Sequence, residues 1–188
     1  MTSSSCKEVV GFQSIKSMSK FCKRHIWGVG VVKTTAMIYG QQNENLAFEY
    51  ARHIAETTNG TVTKSGIWIN AKYPGFGSSP DGLVEECKSS GLVEIKCPKI
   101  LENYHPLDLN NLSSKQLSKF CCKLENGKLI LKQTHAYYYQ IQMQLAICDK
   151  HWCDFVIGLR KVWKFSVYCL MLTSGRKLHQ RYIISIAR

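Results

Sequence analysis

The chain has 188 residues, 45% of them hydrophobic and 20% charged, so it is long enough for one domain with a substantial core and too apolar to be disordered. Nine cysteines without a Cys-x-x-Cys pair, no signal peptide and no apolar run long enough for a bilayer argue against a disulfide-stapled secreted protein and a membrane protein. These features predict an intracellular protein with reduced thiols and no membrane partner.

The formal net charge of +12 is unevenly distributed along the chain. Residues 1–40 carry six Lys and Arg against one acid, residues 157–188 carry seven against none, and residues 41–156 carry twelve of each. Two basic ends favour a phosphate polymer as partner, while ordinary solubility charge explains them equally well.

The first predicted elements are helices. Residues 12–25 are compatible with a short helix, and residues 41–57 are rich in Gln, Glu, Leu and Ala. In the second helix, Glu44 lies on the buried side, at helical spacing from an apolar face formed by Ala47, Phe48, Ala51, Ile54 and Ala55. A carboxylate on a buried face needs a partner, but the helix dipole also favours an acid in the first turn. The helix pattern alone leaves the two interpretations equal.

Strands follow. The composition predicts one strand over residues 61–70 and two short strands over residues 83–86 and 92–97, the last two joined by a polar turn. Along the last strand, alternation directs Glu94 and Lys96 to the same face. The opposite face receives Val93, Ile95 and Cys97.

The C-terminal half contains one helix that should be central. The predicted elements are a helix over 114–122, a strand over 128–132, a helix over 135–148 capped by Thr134, and strands over 152–159 and 163–172. The second of these helices is apolar almost all round, as expected for a buried helix. It nevertheless carries Gln140, Gln142 and Gln144, and buried amides need hydrogen-bond partners.

The candidate chemistry lies on the two short strands and the turn before them. Asp81 follows Pro80, and Glu94 and Lys96 lie in the apolar strand that comes next. Two acids and one base on adjoining strands can hold a divalent metal beside a phosphate, where Mg²⁺ stabilises charge on the phosphoryl oxygens and supplies a hydroxide from bound water. Lys96 would orient the water and offset the developing charge.

Two further ligands are available, and simpler interpretations remain for each residue. Glu44 can add a third carboxylate from its helix, and the main-chain carbonyl of Ile95 can complete the set. Asp81 can instead shape a turn. Glu94 and Lys96 can instead form a solvent-exposed pair.

Four segments carry a resemblance to a known family. They are residues 39–47 (YGQQNENLA), 77–84 (GSSPDGLV), 92–98 (LVEIKCP) and 137–145 (YYYQIQMQL). They are similar to motifs of the YqaJ viral recombinase family, relatives of the lambda phage exonuclease within the PD-(D/E)XK nuclease superfamily. The similarity covers roughly residues 34–158 and implies an α/β fold with a central mixed β-sheet flanked by helices.

The resemblance also implies an activity and a set of site residues. The activity is hydrolysis of DNA with Mg²⁺ or Mn²⁺ as cofactor, in relatives typically by exonuclease action from a 5′ end of linear duplex, with roles in recombination, repair or mobile-element processing. Relatives can form rings around DNA, so a homo-oligomer is compatible with it. The implied site residues are the metal ligands Asp81, Glu94, Glu44 and the Ile95 carbonyl, the catalytic Lys96, and Gln140 or Gln142 as support.

The two ends lie outside the resemblance. Residues 1–33 form a basic N-terminal segment that could be truncated, and residues 159–188 form a divergent basic tail. These ends leave room for an alternative, a catalytically weak or inactive nuclease-like module that binds nucleic acid. A purely structural partner module is a distant third interpretation.

Overall fold

The computed structural model describes residues 1–30, 32–57, 59–87, 89–104 and 109–158, together with the backbone of residues 163–168. Its strands are β1 Thr61–Lys64, β2 Trp68–Ile69, β3 Gly77–Ser78, β4 Gly82–Glu86, β5 Ser89–Lys96, β6 Cys122–Glu125, β7 Lys128–Leu131, β8 Trp152–Ile157 and β9 Trp163–Tyr168. Five of them form a central sheet of order β1-β4-β5-β8-β9, and β2-β3 and β6-β7 form two small sheets. In the central sheet β5 and β8 run parallel and the other neighbouring pairs run antiparallel, so the sheet is mixed.

Two long helices cover the faces of this sheet. The helices are α1 Cys6–Val10, α2 Ile15–Trp27, α3 Thr35–Thr57, α4 Ser114–Lys119 and α5 Ala136–Cys148. Ala47 and Ala51 of α3 share one core with Val93, and Ile141 of α5 shares another core with Leu92. The predicted mixed sheet flanked by helices is therefore confirmed.

β5 lies between the two cores, which explains its sequence. Leu92 belongs to the α5 core, whereas Val93 and Ile95 belong to the α3 core, as the predicted alternation requires. A strand that is covered on both faces reads as a continuous apolar run. Glu94 interrupts this run, so its carboxylate is placed inside the protein.

A glycine lets α3 approach the end of β8. A Cβ atom at Gly158 would lie 2.3 Å from Cβ of Ala47 and 2.9 Å from Sγ of Cys97. No side chain fits there without moving α3, because real Cβ atoms do not approach other atoms this closely. The missing side chain at Gly158 therefore allows α3 to lie close to the last residues of β5, beside the cavity described below.

The single strand predicted over residues 61–70 is wrong. β1 ends at Lys64 and belongs to the central sheet, whereas β2 belongs to the small sheet with β3. The pairing with β4 reaches Ser65, whose N–H donates to the carbonyl of Asp81 at 3.4 Å. The chain then leaves β4, with Oγ of Ser65 accepting from Nε1 of Trp68 at 2.8 Å, and β2 pairs with β3. Ile67 and Ile69 are 78% and 65% exposed, so their apolar side chains did not indicate a buried strand.

Several other boundaries differ from the predictions. α2 spans Ile15–Trp27 and not residues 12–25, and β5 begins at Ser89, inside the predicted turn. α3 begins at Thr35 and not at residue 41. At this start of the helix, Oγ1 of Thr34 accepts the N–H of Met37. The helix predicted over 114–122 ends at Lys119, and its last predicted residue instead begins β6, which pairs with β7. The N-cap of α5 is His135 and not Thr134, since the His135 ring accepts the N–H of Tyr137.

The remaining strand predictions are confirmed as far as the described residues reach. β8 and β9 match the strands expected over 152–159 and 163–172, whose residues 159 and 169–172 lie outside the described part. The cysteines within the described ranges are free thiols, and Cys97, Cys121, Cys122, Cys148 and Cys153 are buried. Within these ranges, every helix is too short or too polar to cross a bilayer.

Candidate active site

The antiparallel pairing of β4 and β5 brings Asp81 and Glu94 together. Gly82 pairs with Val93, so the residue before Gly82 lies beside the residue after Val93. The N–H of Ile95 donates to Oδ2 of Asp81 at 2.6 Å. This bond crosses from one strand to the next and holds the Asp81 carboxylate against β5.

Glu94 is a buried carboxylate with three hydrogen-bond donors around it. Its side chain is 1% exposed. Oε1 accepts from Nε2 of Gln140 at 2.6 Å and from Nζ of Lys96, and Oε2 accepts from Nε2 of Gln144 at 2.7 Å. An unpaired buried carboxylate would be very unfavourable, and these donors replace its lost hydration. The interpretation of Glu94 and Lys96 as a solvent-exposed pair is therefore wrong.

Lys96 is held as an ammonium group. It forms an ion pair with Glu94, and its Nζ lies 5.2 Å from the ring centroid of Tyr137. Burial lowers the pKa of Lys96, but the charges of Glu94 and Asp81 raise it by more, so the pKa is above its ordinary value. Lys96 thus stays protonated near neutral pH and can donate hydrogen bonds to an anion.

The pKa of Asp81 is raised to about 7. Burial is the main cause and the charge of Glu94 is the second, while Lys96 and the N–H of Ile95 act in the opposite direction. Two carboxylates this close share more negative charge than one ammonium group can offset, so a proton or another cation is favoured at the pair.

Glu44 lies apart from this pair. It is exposed, although the helical pattern placed it on the buried side, and it lines a cavity of about 710 Å³ together with Ile95, Lys96 and Gln140. Its charge is the smallest of the contributions that raise the pKa of Asp81. Among the described residues, no group of three His, Cys, Asp or Glu side chains is close enough to hold a metal ion.

Residues 1–151 match the family model of the YqaJ-like viral recombinase domain. The chain belongs to this family. The match begins at residue 1, so it includes the basic N-terminal segment as well as the residues around Asp81 and Glu94. No curated protein matches the chain in a sequence search.

Solved structures with a similar fold include exonucleases. An alkaline exonuclease from Laribacter hongkongensis is 26% identical, with a TM-score of 0.56, and the alignment covers 90% of this chain and 77% of that one. A structure of the same enzyme in complex with dAMP is 25% identical over the same shares, also with a TM-score of 0.56. A phage-related exonuclease from Haemophilus somnus 129PT is 14% identical over 85% of this chain and 67% of that one, with a TM-score of 0.55, and shows the fold alone. The chain thus carries a viral-recombinase domain with an exonuclease-like fold.

In this member of the family, the amides on the buried carboxylate are Gln140 and Gln144. They lie one helical turn apart, so both face β5. Gln142 lies about 200° around the helix axis from either of them, which directs it away from Glu94. The buried Gln144 was noted in the sequence only as an amide in need of a partner. Its i, i+4 spacing from Gln140 was the signal that could have identified it.

Proposed function

We propose that the chain is a metal-dependent deoxyribonuclease that acts as an exonuclease on linear double-stranded DNA. The observation that carries this proposal is the pairing of the half-buried Asp81 with the buried Glu94 beside a protonated Lys96, in a fold shared with exonucleases. An intracellular location and a role in recombination, repair or mobile-element processing belong to the same proposal.

The acidic pair fits a divalent cation. The raised pKa of Asp81 reports an excess of negative charge, and the available donors are hard oxygens, which Mg²⁺ and Mn²⁺ prefer. Asp81, Glu94 and the carbonyl of Ile95 would hold the ion, with Glu44 adding a carboxylate from α3. Such an ion stabilises negative charge on a phosphate and supplies hydroxide from bound water at neutral pH.

Lys96 has the position and charge for the second task in hydrolysis. Its ammonium group lines the cavity, so a phosphate that enters can accept a hydrogen bond from it. Ion pairing with Glu94 and the ring of Tyr137 hold the group in place before the substrate arrives. A preorganised cation of this kind stabilises the charge that develops on the phosphoryl oxygens.

DNA fits the surroundings of the site as well as its chemistry. Lys99 and Lys119 line the same cavity as Lys96, so three cations face a bound phosphate backbone. The net charge of +12 adds a long-range attraction for a polyanion.

The exposure of Glu44 favours a second candidate function. With only two carboxylates held together, the chain could bind nucleic acid on a nuclease scaffold and cleave it weakly or not at all. This module would still use the cations at the cavity and show salt-sensitive DNA binding.

One experiment separates the two functions. Purified protein is incubated with end-labelled linear duplex and with covalently closed circular duplex, with Mg²⁺, Mn²⁺ or EDTA. Loss of the linear DNA alone, and only with metal, is expected. Lys96→Ala should abolish digestion with an unchanged circular dichroism spectrum, whereas the matched control Lys123→Ala, on the exposed β6-β7 hairpin, should digest normally.

Two outcomes would contradict the nuclease proposal. DNA binding that weakens with salt, without cleavage in any metal, would replace it with the binding module. Normal digestion by Lys96→Ala would show that the residues around Lys96 are not the catalytic site.

A further inference from the structure

Gln144 contacts the candidate site from behind. It lies in α5 with 0% exposure, and its Nε2 donates to Oε2 of Glu94 at 2.7 Å. Gln140 donates to the other oxygen, Oε1, at 2.6 Å. Because one rigid helix carries both amides one turn apart, the two bonds fix the plane of the carboxylate as well as its position.

The other donors to Glu94 lie in the wall of the cavity. Lys96 and Gln140 both line it, so both can exchange their bonds to Glu94 for bonds to a ligand. Gln144 is fully buried and touches only the protein interior. Its bond to Oε2 is thus the one among these three that a ligand in the cavity does not compete for.

The second polar atom of Gln144 also indicates that the bond to Glu94 is the reason for an amide at this position. Its Oε1 is buried and makes no hydrogen bond within the described residues. A buried carbonyl without a partner is unfavourable, and a Met or Leu side chain would fill this place in the core without that penalty. Packing therefore does not explain an amide here, but the bond to Glu94 does.

We propose that Gln144 is a positioning residue, which holds Glu94 in its working orientation throughout binding and turnover. It acts through Glu94 and does not itself touch the substrate or a cation. This inference rests on the proposed nuclease function, and it adds a residue that was not among the site residues implied by the family resemblance.

The test compares two Gln-to-Met substitutions. Gln144→Met removes the donor and keeps the volume, and Gln133→Met makes the same chemical change at an exposed position in the turn before α5. Mn²⁺ binding to the full chain is measured by isothermal titration calorimetry, and kcat and KM are measured on linear duplex. For Gln144→Met we expect Mn²⁺ binding about 10-fold to 100-fold weaker, a lower kcat and an unchanged KM for DNA. Gln133→Met should match the wild type.

The titration also separates positioning from misfolding. Partial unfolding lowers the number of Mn²⁺ sites per chain without changing the affinity of those that remain, whereas a displaced Glu94 lowers the affinity at full occupancy. If Gln144→Met does not fold, Gln144→Asn keeps an amide but is one methylene shorter, and we expect the same loss of affinity.

Each result decides the inference. Equal Mn²⁺ affinity and kcat in Gln144→Met and Gln133→Met, with an active wild type, would overturn the role of Gln144 and leave the nuclease function intact. A wild type that neither binds Mn²⁺ nor digests DNA would overturn the proposed function and this inference together.

Discussion

The sheet side and the helix side of the candidate site hold their carboxylates in opposite ways. On the sheet side, Glu94 is 1% exposed and accepts hydrogen bonds from Lys96, Gln140 and Gln144. On the helix side, Glu44 is exposed at the cavity wall and makes no hydrogen bond or ion pair within the described residues. The sheet side is therefore preorganised at the cost of burying charge, and the helix side is adjustable.

This difference predicts which substitutions should have large effects on activity and stability. A preorganised buried group acts in every step, so its loss affects activity and stability together. An exposed group without fixed partners can be removed with little effect on the fold. Four measurements test this difference between the sheet side and the helix side.

The largest effect is expected on the sheet side, for Glu94→Gln. The substitution keeps the shape of the side chain but removes the negative charge that holds Lys96, so we expect activity on linear duplex to fall about a thousand-fold or more. Single-turnover digestion with Mn²⁺ measures it. A loss of less than about ten-fold would show that the buried carboxylate is not the centre of the site.

Asp81 should make stability depend on pH. Its pKa is raised to about 7 in the folded chain, against an ordinary value of 3.8, so the folded state holds the proton more tightly. The resulting stability is fully present below about pH 4 and is lost as the pH rises through about 7. Relative to wild type, Asp81→Asn should gain up to about 4 kcal/mol in free energy of unfolding at pH 8.

Urea unfolding of both chains at pH 4, 6 and 8, without added metal, measures this gain. The difference between the two chains isolates Asp81 from the other titrating groups. If the gain in free energy of unfolding is the same at all three pH values, Asp81 is ionised normally, and the carboxylates of Asp81 and Glu94 are not close enough to interact.

A smaller effect is expected on the helix side, for Glu44→Gln. If Glu44 adds one adjustable carboxylate, turnover should fall about 10-fold, while the melting temperature stays the same because the side chain is exposed. Glu49→Gln on the same helix, which removes an ion pair with Arg52, is the matched control for charge and should keep full activity. A loss as large as that of Glu94→Gln would remove the distinction between the two sides.

The smallest effect is expected for the ring beside Lys96. Tyr137→Leu removes the cation–π contact, whose typical energy of about 0.5–1 kcal/mol beside a partly exposed cation predicts a fall in kcat of roughly 2-fold to 5-fold. Tyr137→Phe keeps the ring and should restore most of the activity. Equal losses in both variants would assign the effect to the hydroxyl group and not to the ring.

The alternation along β5 and the apolar face of α3 were predictable because each depends on a period within a single element. Leu92 and Val93 lie in different cores as the period of two requires, and Ala47 and Phe48 are buried as the helical period requires. The division of residues 61–70 was not predictable by this means, because β1 pairs with β4 while β2 pairs with β3, and the choice of partner depends on contacts between elements.

The same distinction applies to the candidate site. The residues with the relevant chemistry could be identified from residue type and spacing, since Asp81, Glu94 and Lys96 lie at or near two adjoining predicted strands. The packing of the helices was needed to show that Gln144 reaches Glu94 and that Glu44 is exposed at the cavity. Periodicity predicts the side of a helix on which a residue lies. The contact that the residue makes on that side depends on how α5 and α3 pack against the sheet.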